Sequence, residues 1–206
     1  MLSAKWAAYK ELVIREILED SIIGYLDPGI LELLLRINSV EGLATTSSCT
    51  GRITIIEGEK HWDRSASRIV YKTHTEASVE KLSRILEGPF DNLWLKVSGP
   101  ILHLRTVSLE CAQHVLGKAR LHGFKHSGIA SVKLEEVGGI VVELMSSIDV
   151  AAPLKVNGVV LIDPQRTAKI VETANKFLAE GKRKLEELVS DLTMNPGPCG
   201  AYLSQS

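Results

Sequence analysis

Apolar residues recur at helical spacing at the start of the chain: Trp6, Tyr9, Val13 and Ile17 form one stripe, and Glu11, Arg15 and Glu19 occupy the other face. Asp27-Pro28 then offers a helix N-cap followed by a first-turn proline, and predicts a second helix through Ile30, Leu33, Leu34 and Ile37. Two strand-like runs, 44–48 and 52–56, flank a turn at Cys49-Thr50-Gly51. A polar loop over 58–65 leads to an alternating strand over 67–74, and a helix over 76–86 stops at Gly88-Pro89.

The second half reads similarly. Strands over 93–97 and 101–107 lead to a helix capped by Ser108 and closed by Gly123, with Leu109, Ala112, Leu116 and Ala119 as its inner stripe. Strands follow over 128–134 and 140–145. Asn157-Gly158 marks a two-residue hairpin between 153–156 and 159–162, because both residues accept the positive φ of a type I′ turn. Asp163-Pro164 opens a last helix to about Leu192, and the tail 193–206, rich in proline and glycine, is expected to be disordered. Strands clustered in hairpins between helices predict an α+β fold: a mixed, mostly antiparallel sheet with packed helices. No linker interrupts 1–192, which is expected to be a single domain.

Composition narrows the function classes. Of 206 residues 45% are hydrophobic and 24% charged, an ordinary globular balance that excludes wholesale disorder. With a net charge of −1, any nucleic-acid binding must come from a local patch; Arg105, Lys118, Arg120, Lys125 and Lys133 against Glu110 alone read either as such a patch or, better on charge counting alone, as a solvated helix face. Cys49, Cys111 and Cys199 are odd in number and widely spaced, which argues against a disulfide framework and for a reducing compartment. Neither a signal peptide nor a bilayer-spanning run is evident, so a cytoplasmic location is expected.

Thr45-Thr46-Ser47-Ser48-Cys49-Thr50-Gly51-Arg52 is the most unusual segment. Hydroxyls and backbone N–H groups at such a turn can cradle an anion, with Arg52 as a clamp; equally, the hydroxyls can cap their own backbone. Cys49 is open to two readings, a small packing residue or the nucleophile of a cysteine-dependent hydrolase. No histidine pair has the spacing of a zinc site, so no metal is expected. His74 and His103 make an acid–base locus if their strands pair. Gly123-Phe124-Lys125-His126-Ser127-Gly128 reads either as a close approach to a ligand or as a helix stop. No G-x-G-x-x-G follows a strand, so a Rossmann cofactor domain is unsupported.

The block Thr45–Ile53 closely resembles the signature of the tRNA wybutosine-synthesizing protein 3 family. Ile101-Leu102-His103 resembles its leucine-histidine pair, Gly123–Ile129 its Gly-Phe-basic-x-Ser-Gly-Ile element, and Ala152-Pro153-Leu154 and the last helix also correspond. The resemblance covers nearly all of the chain after the first helix. One departure is that Ser98-Gly99-Pro100 stands where relatives commonly carry Glu-Pro before the leucine-histidine pair. The resemblance implies methyl transfer from S-adenosylmethionine to N4 of the aminocarboxypropyl-demethylwyosine base beside the anticodon of tRNA(Phe). In that reading the turn over 47–52 faces the methionine carboxylate or a tRNA phosphate. His103 is the first candidate for the base and His74 the second. Ser47, Ser48, Cys49, Gly51, Arg52, Ser127 and Gly128 are candidates for the cofactor, and Lys118, Arg120 and Lys125 for the anticodon stem-loop. Two other functions remain open: a non-catalytic tRNA-binding module, and the cysteine hydrolase.

Overall fold

A computed structural model describes residues 2–132 and 137–200; Lys133 and the end of the tail, 201–206, lie outside the described residues. The helices are α1 (Leu2–Ile22), α2 (Leu31–Ser39), α3 (Val79–Leu86), α4 (Leu109–Leu121) and α5 (Pro164–Met194). The strands are β1 (Leu43–Cys49), β2 (Arg52–Glu57), β3 (Arg68–Thr73), β4 (Leu93–Ser98) and β5 (Ile101–Thr106), followed by β6 (Gly128–Val132), β7 (Ile140–Met145), β8 (Asp149–Val156) and β9 (Val159–Val160). Among the described residues every strand pairing is antiparallel and no Rossmann winding is present, so the α+β class holds. The described residues form two compact units, each assembled from separate stretches of chain: 1–50, 100–147 and 183–206 in one, 51–99 and 148–182 in the other. Because the chain changes unit within single peptide steps, no linker could be legible in the sequence.

The first unit carries a four-stranded sheet in the order β1-β5-β7-β6. Alternation turns Leu102 and Leu104 of β5, and Val142 and Leu144 of β7, onto one face, all at most 1% exposed. They pack with Ala112, Val115 and Ala119 of α4, Ile37 of α2, and Leu188 and Leu192 of α5. Each fully buried leucine or isoleucine contributes about 1.5–3 kcal/mol to this core. Ser108 caps α4 by accepting from the Cys111 amide, and Gly123, at φ +84°, closes it, so the glycine is a helix stop. The inner stripe of α4 differs in one place: Leu109 is 47% exposed, and Cys111 and Val115 point inward instead. α2 begins later than predicted. Asp27 does not cap it, because its carboxylate accepts from the Thr50 amide (2.7 Å) and hydroxyl (3.2 Å), which commits it outside the helix.

Two expectations about the cysteines and the tail fail together. Cys111 and Cys199 form a disulfide across 88 residues, both fully buried, so the tail is ordered as far as Gly200 and makes a 3-10 turn at Gly197–Cys199. Pairing over such a separation leaves no local mark in the sequence. Gly42 donates to the Cys199 carbonyl at 2.7 Å, which seats the turn beside β1.

The second unit carries a five-stranded sheet, β3-β2-β4-β8-β9. Ile53, Ile55, Leu93, Leu95 and Leu154 bury one side with Leu82 and Leu86 of α3 and Val171, Ala174 and Leu178 of α5. The Asn157-Gly158 hairpin forms as predicted, with φ +49° and +78°. The runs around Cys49-Thr50-Gly51 do not form a hairpin, because β1 pairs with β5 whereas β2 pairs with β3 and β4. Gly51 takes φ +93°, and a Cβ there would lie 2.9 Å from the Ser98 carbonyl, so only glycine fits. No helix of the described residues is long and apolar enough to cross a membrane.

Candidate active site

The signature block contributes to a cleft in the first unit. A register shift between Thr45 and Ser47 bulges β1 and sets Ser47 opposite His103. Thr45–Ser48 line one wall of a cavity of about 310 Å³. Val13, Glu16, Ile17 and Asp20 of α1 line another: the spacing i, i+3, i+4, i+7 puts two apolar and two acidic side chains on one helix face. Tyr25, Leu26 and Asp27 of the α1–α2 connection and Leu34 of α2 complete it. The lining holds three carboxylates and no lysine or arginine, so its field favours cations and hydrogen-bond donors. This reverses the polarity expected of the turn: Ser47 and Ser48 face a cleft that repels a phosphate or carboxylate.

Across the same sheet, the register places Ser47, His103, Glu143 and Gly128 in one row over β1, β5, β7 and β6. His103 Nε2 lies 3.0 Å from Glu143 Oε1. A carboxylate only accepts, so Nε2–H donates, and in the neutral form of the ring the lone pair falls on Nδ1. That is the arrangement of a base held by an orienting carboxylate. His74, after β3, belongs to the other sheet, so the two histidine strands do not pair. In its own unit His74 Nδ1 lies 2.9 Å from the Gly51 carbonyl, and its carbonyl accepts from Lys182 Nζ at 2.6 Å. Arg52 opens β2 opposite Ser98, half-buried. Cys49 ends β1, where the partner strand sets Ile101 against it.

Other candidates have structural duties. The Ser127 hydroxyl is buried, donates to the Phe124 carbonyl (2.7 Å) and accepts from the Met145 amide (3.0 Å), so it ties the α4–β6 connection to β7 and is not available to a cofactor. Gly128 sits in β6, and a Cβ there would meet no atom of this chain within 4 Å, so packing within the chain does not demand glycine. Lys118 pairs with Asp191 at 2.8 Å, and His122 reaches the other oxygen of that carboxylate at 3.0 Å. Hydrogen bonds from Lys118, then His122 and Asn195, hold the Asp191 carboxyl well below the usual range. Lys118 is thereby neutralised for RNA, which leaves Arg120 and Lys125, both exposed.

Glu143 escaped sequence reasoning because it meets His103 only through strand pairing across 40 residues. Glu16 and Asp20 left a signal: acidic residues set into the edge of an apolar helical stripe.

Comparison with known proteins matches the family described as "Methyltransferase TYW3" over residues 3–194. A curated relative from Aeropyrum pernix, 46% identical over 180 residues and covering 84% of this chain and 95% of its own, is named tRNA(Phe) 7-((3-amino-3-carboxypropyl)-4-demethylwyosine(37)-N(4))-methyltransferase. One from Saccharolobus solfataricus with the same name is 36% identical, over 91% of this chain and 88% of its own. Among solved structures, the PH1069 protein of Pyrococcus horikoshii superposes with a TM-score of 0.81 at 32% identity, over 93% of this chain and 98% of that one. A hypothetical protein from Aeropyrum pernix gives 0.75 at 42%, over 82% and 98%.

Proposed function

Since the chain belongs to the TYW3 methyltransferase family, we propose that it methylates N4 of the 7-aminocarboxypropyl-demethylwyosine base beside the anticodon of tRNA(Phe), in the cytoplasm, with S-adenosylmethionine as donor. The observation that carries the reading is that the signature block itself lines the cleft: Thr45–Ser48 form its wall. A volume of about 310 Å³ is at the small end of ligand sites. Its chemistry fits this donor, whose sulfonium and ammonium cations outweigh its single carboxylate and whose ribose carries hydroxyls, with the cationic end towards the cleft and the carboxylate away from it. Glu16, Asp20 and Asp27 supply the complementary charge, and Ser47 and Ser48 the short-range hydrogen bonds. When bound, the donor supplies an electrophilic methyl group.

The rest is the task of the chain's own residues. Displacement at a methyl group needs the accepting nitrogen in line and its proton removed. His103 Nδ1 is the acceptor for that proton, and Glu143 holds the ring and stabilises the imidazolium that forms. Arg120 and Lys125 neutralise tRNA phosphates, and the base leaves its stack to reach the site.

The test is methyl transfer read by nucleoside mass spectrometry. The substrate is tRNA(Phe) carrying the aminocarboxypropyl-demethylwyosine precursor, with S-adenosylmethionine present or omitted. One methyl gained on that base, only with the donor, is the expected result. Binding of tRNA without methyl gain would mean a non-catalytic module instead.

A further inference from the structure

The polar loop between β2 and β3, residues 58–67, has an organisation that the reaction does not use. Its inner side is pinned. The Trp94 indole N–H donates to the Gly58 carbonyl at 3.1 Å, and the His61 ring packs 5.0 Å from Trp94. Asp63 Oδ1 accepts from the Ser65 amide (3.0 Å) and hydroxyl (2.6 Å), and its carbonyl accepts from Ser67 and Ala66. His61 is thus half-buried against Trp94 and Asp63 is committed to its own turn, whereas Lys60, Trp62 and Arg64 are all exposed.

Trp62 is 66% exposed and meets the His61 ring in a T-shaped contact, with centroids 4.9 Å apart and an interplanar angle of 90°. An indole left in water is costly, and here a pinned loop and a T-shaped ring contact hold it there. Neither Lys60 nor Arg64 makes an ion pair among the described residues; Arg68 is committed to Glu57. The exposed strip thus reads cation, indole, cation. A single-stranded nucleic acid is built to the same pattern, with a π-face between phosphates.

We propose that Lys60, Trp62 and Arg64 form a stacking platform for one unpaired RNA base, with the two cations on its flanking phosphates. The proposal rests on the reading of tRNA as substrate and adds a contact in the second unit, separate from Arg120 and Lys125. Glu59, exposed beside Lys60, opposes the phosphates and serves as an internal control.

The experiment titrates the whole protein, without methyl donor, with an unmodified single-stranded RNA of anticodon-loop sequence and with a duplex of equal length. Tryptophan fluorescence is the readout. Trp6 is 4% exposed and Trp94 is half-buried against the His61 ring, so Trp62, at 66%, is the most exposed indole and the one whose replacement identifies the quench. The single strand quenches emission, and Trp62→Phe removes the quench while affinity stays within about two-fold. Trp62→Ala weakens binding about ten-fold, the scale of one base stack, with an unchanged melting temperature. Lys60→Gln and Arg64→Gln each lower the slope of log affinity against log salt by about 0.7, and Glu59→Gln strengthens binding. Unquenched Trp62, or a Trp62→Ala variant that binds RNA as the parent does, overturns the platform. Equal quenching by duplex also overturns it. Because no donor is present, these outcomes are independent of whether methyl transfer succeeds.

Discussion

Ser47 and Ser48 line the cleft, so under the proposed function their effect belongs to donor binding and not to the proton transfer. Replacing either by alanine raises the KM for S-adenosylmethionine about five-fold, on the scale of one hydrogen bond, with kcat little changed. A normal cofactor KM in both variants would remove them from the donor site. Glu143 gives the opposite signature. Glu143→Ala frees the His103 ring and lowers kcat about ten-fold or more at constant donor KM. Glu143→Gln falls between, since its carbonyl still accepts from Nε2–H and preserves the tautomer. Equal rates in the parent and the alanine variant would mean that the carboxylate does not serve the base. At this scale the sequence singled out Thr45–Ser48, which the fold sets in a cleft wall, and His103, which it sets beside Glu143. It misled at Ser127, where a buried hydroxyl between two backbone partners looks, as a letter, like a ligand.

Elements were legible where the code is local. Ser108 and Gly123 bound α4, and Asn157-Gly158 turns β8 into β9, because caps and type I′ turns depend on a few adjacent residues. Pairing between distant elements was not: β1 and β2 are neighbours in sequence and members of different sheets. The same limit hid the tie between α4 and α5, where Lys118 and His122 converge on Asp191. That tie has a pH signature. The folded-state pKa of Asp191 is depressed below its unfolded value, first by the hydrogen bond from Lys118. Its contribution is therefore complete above the unfolded value, near pH 4, and declines as pH falls below it towards the folded value. Unfolding of the parent measured from pH 6 to pH 2 loses about 1–2 kcal/mol that Asp191→Asn does not lose, because the variant begins without it. Parallel pH curves for the two proteins would mean that the cluster contributes nothing to folding.

The largest departure from the sequence reading concerns the chain as a whole. Three dispersed cysteines suggested thiols, and the order of the last residues was invisible, because a bond between Cys111 and Cys199 depends on a completed core. Its effect is correspondingly global. Closing a loop of 88 residues restricts the unfolded chain by about 4–5 kcal/mol in the chain-entropy account, more than any one core leucine contributes. For a chain of 206 residues that is a shift of about 10 °C in melting temperature. The bond lies wholly inside one unit, far along the chain from Thr45–Ser48, and is fully buried, so it stabilises without being poised to switch. Two measurements separate these roles. Cys111→Ser with Cys199→Ser melts about 10 °C below the parent and, well below that temperature, keeps the parent's KM for S-adenosylmethionine. A reductant at room temperature leaves the parent's activity unchanged, because the sulfurs open only with the core. If the paired variant instead melted with the parent, the thiols would be unlinked in solution, and burial of Cys199 under Gly42 and α4 would alone hold the tail. If reductant abolished activity at constant melting temperature, the bond would be a redox control, and the cleft rather than the core would be what it governs.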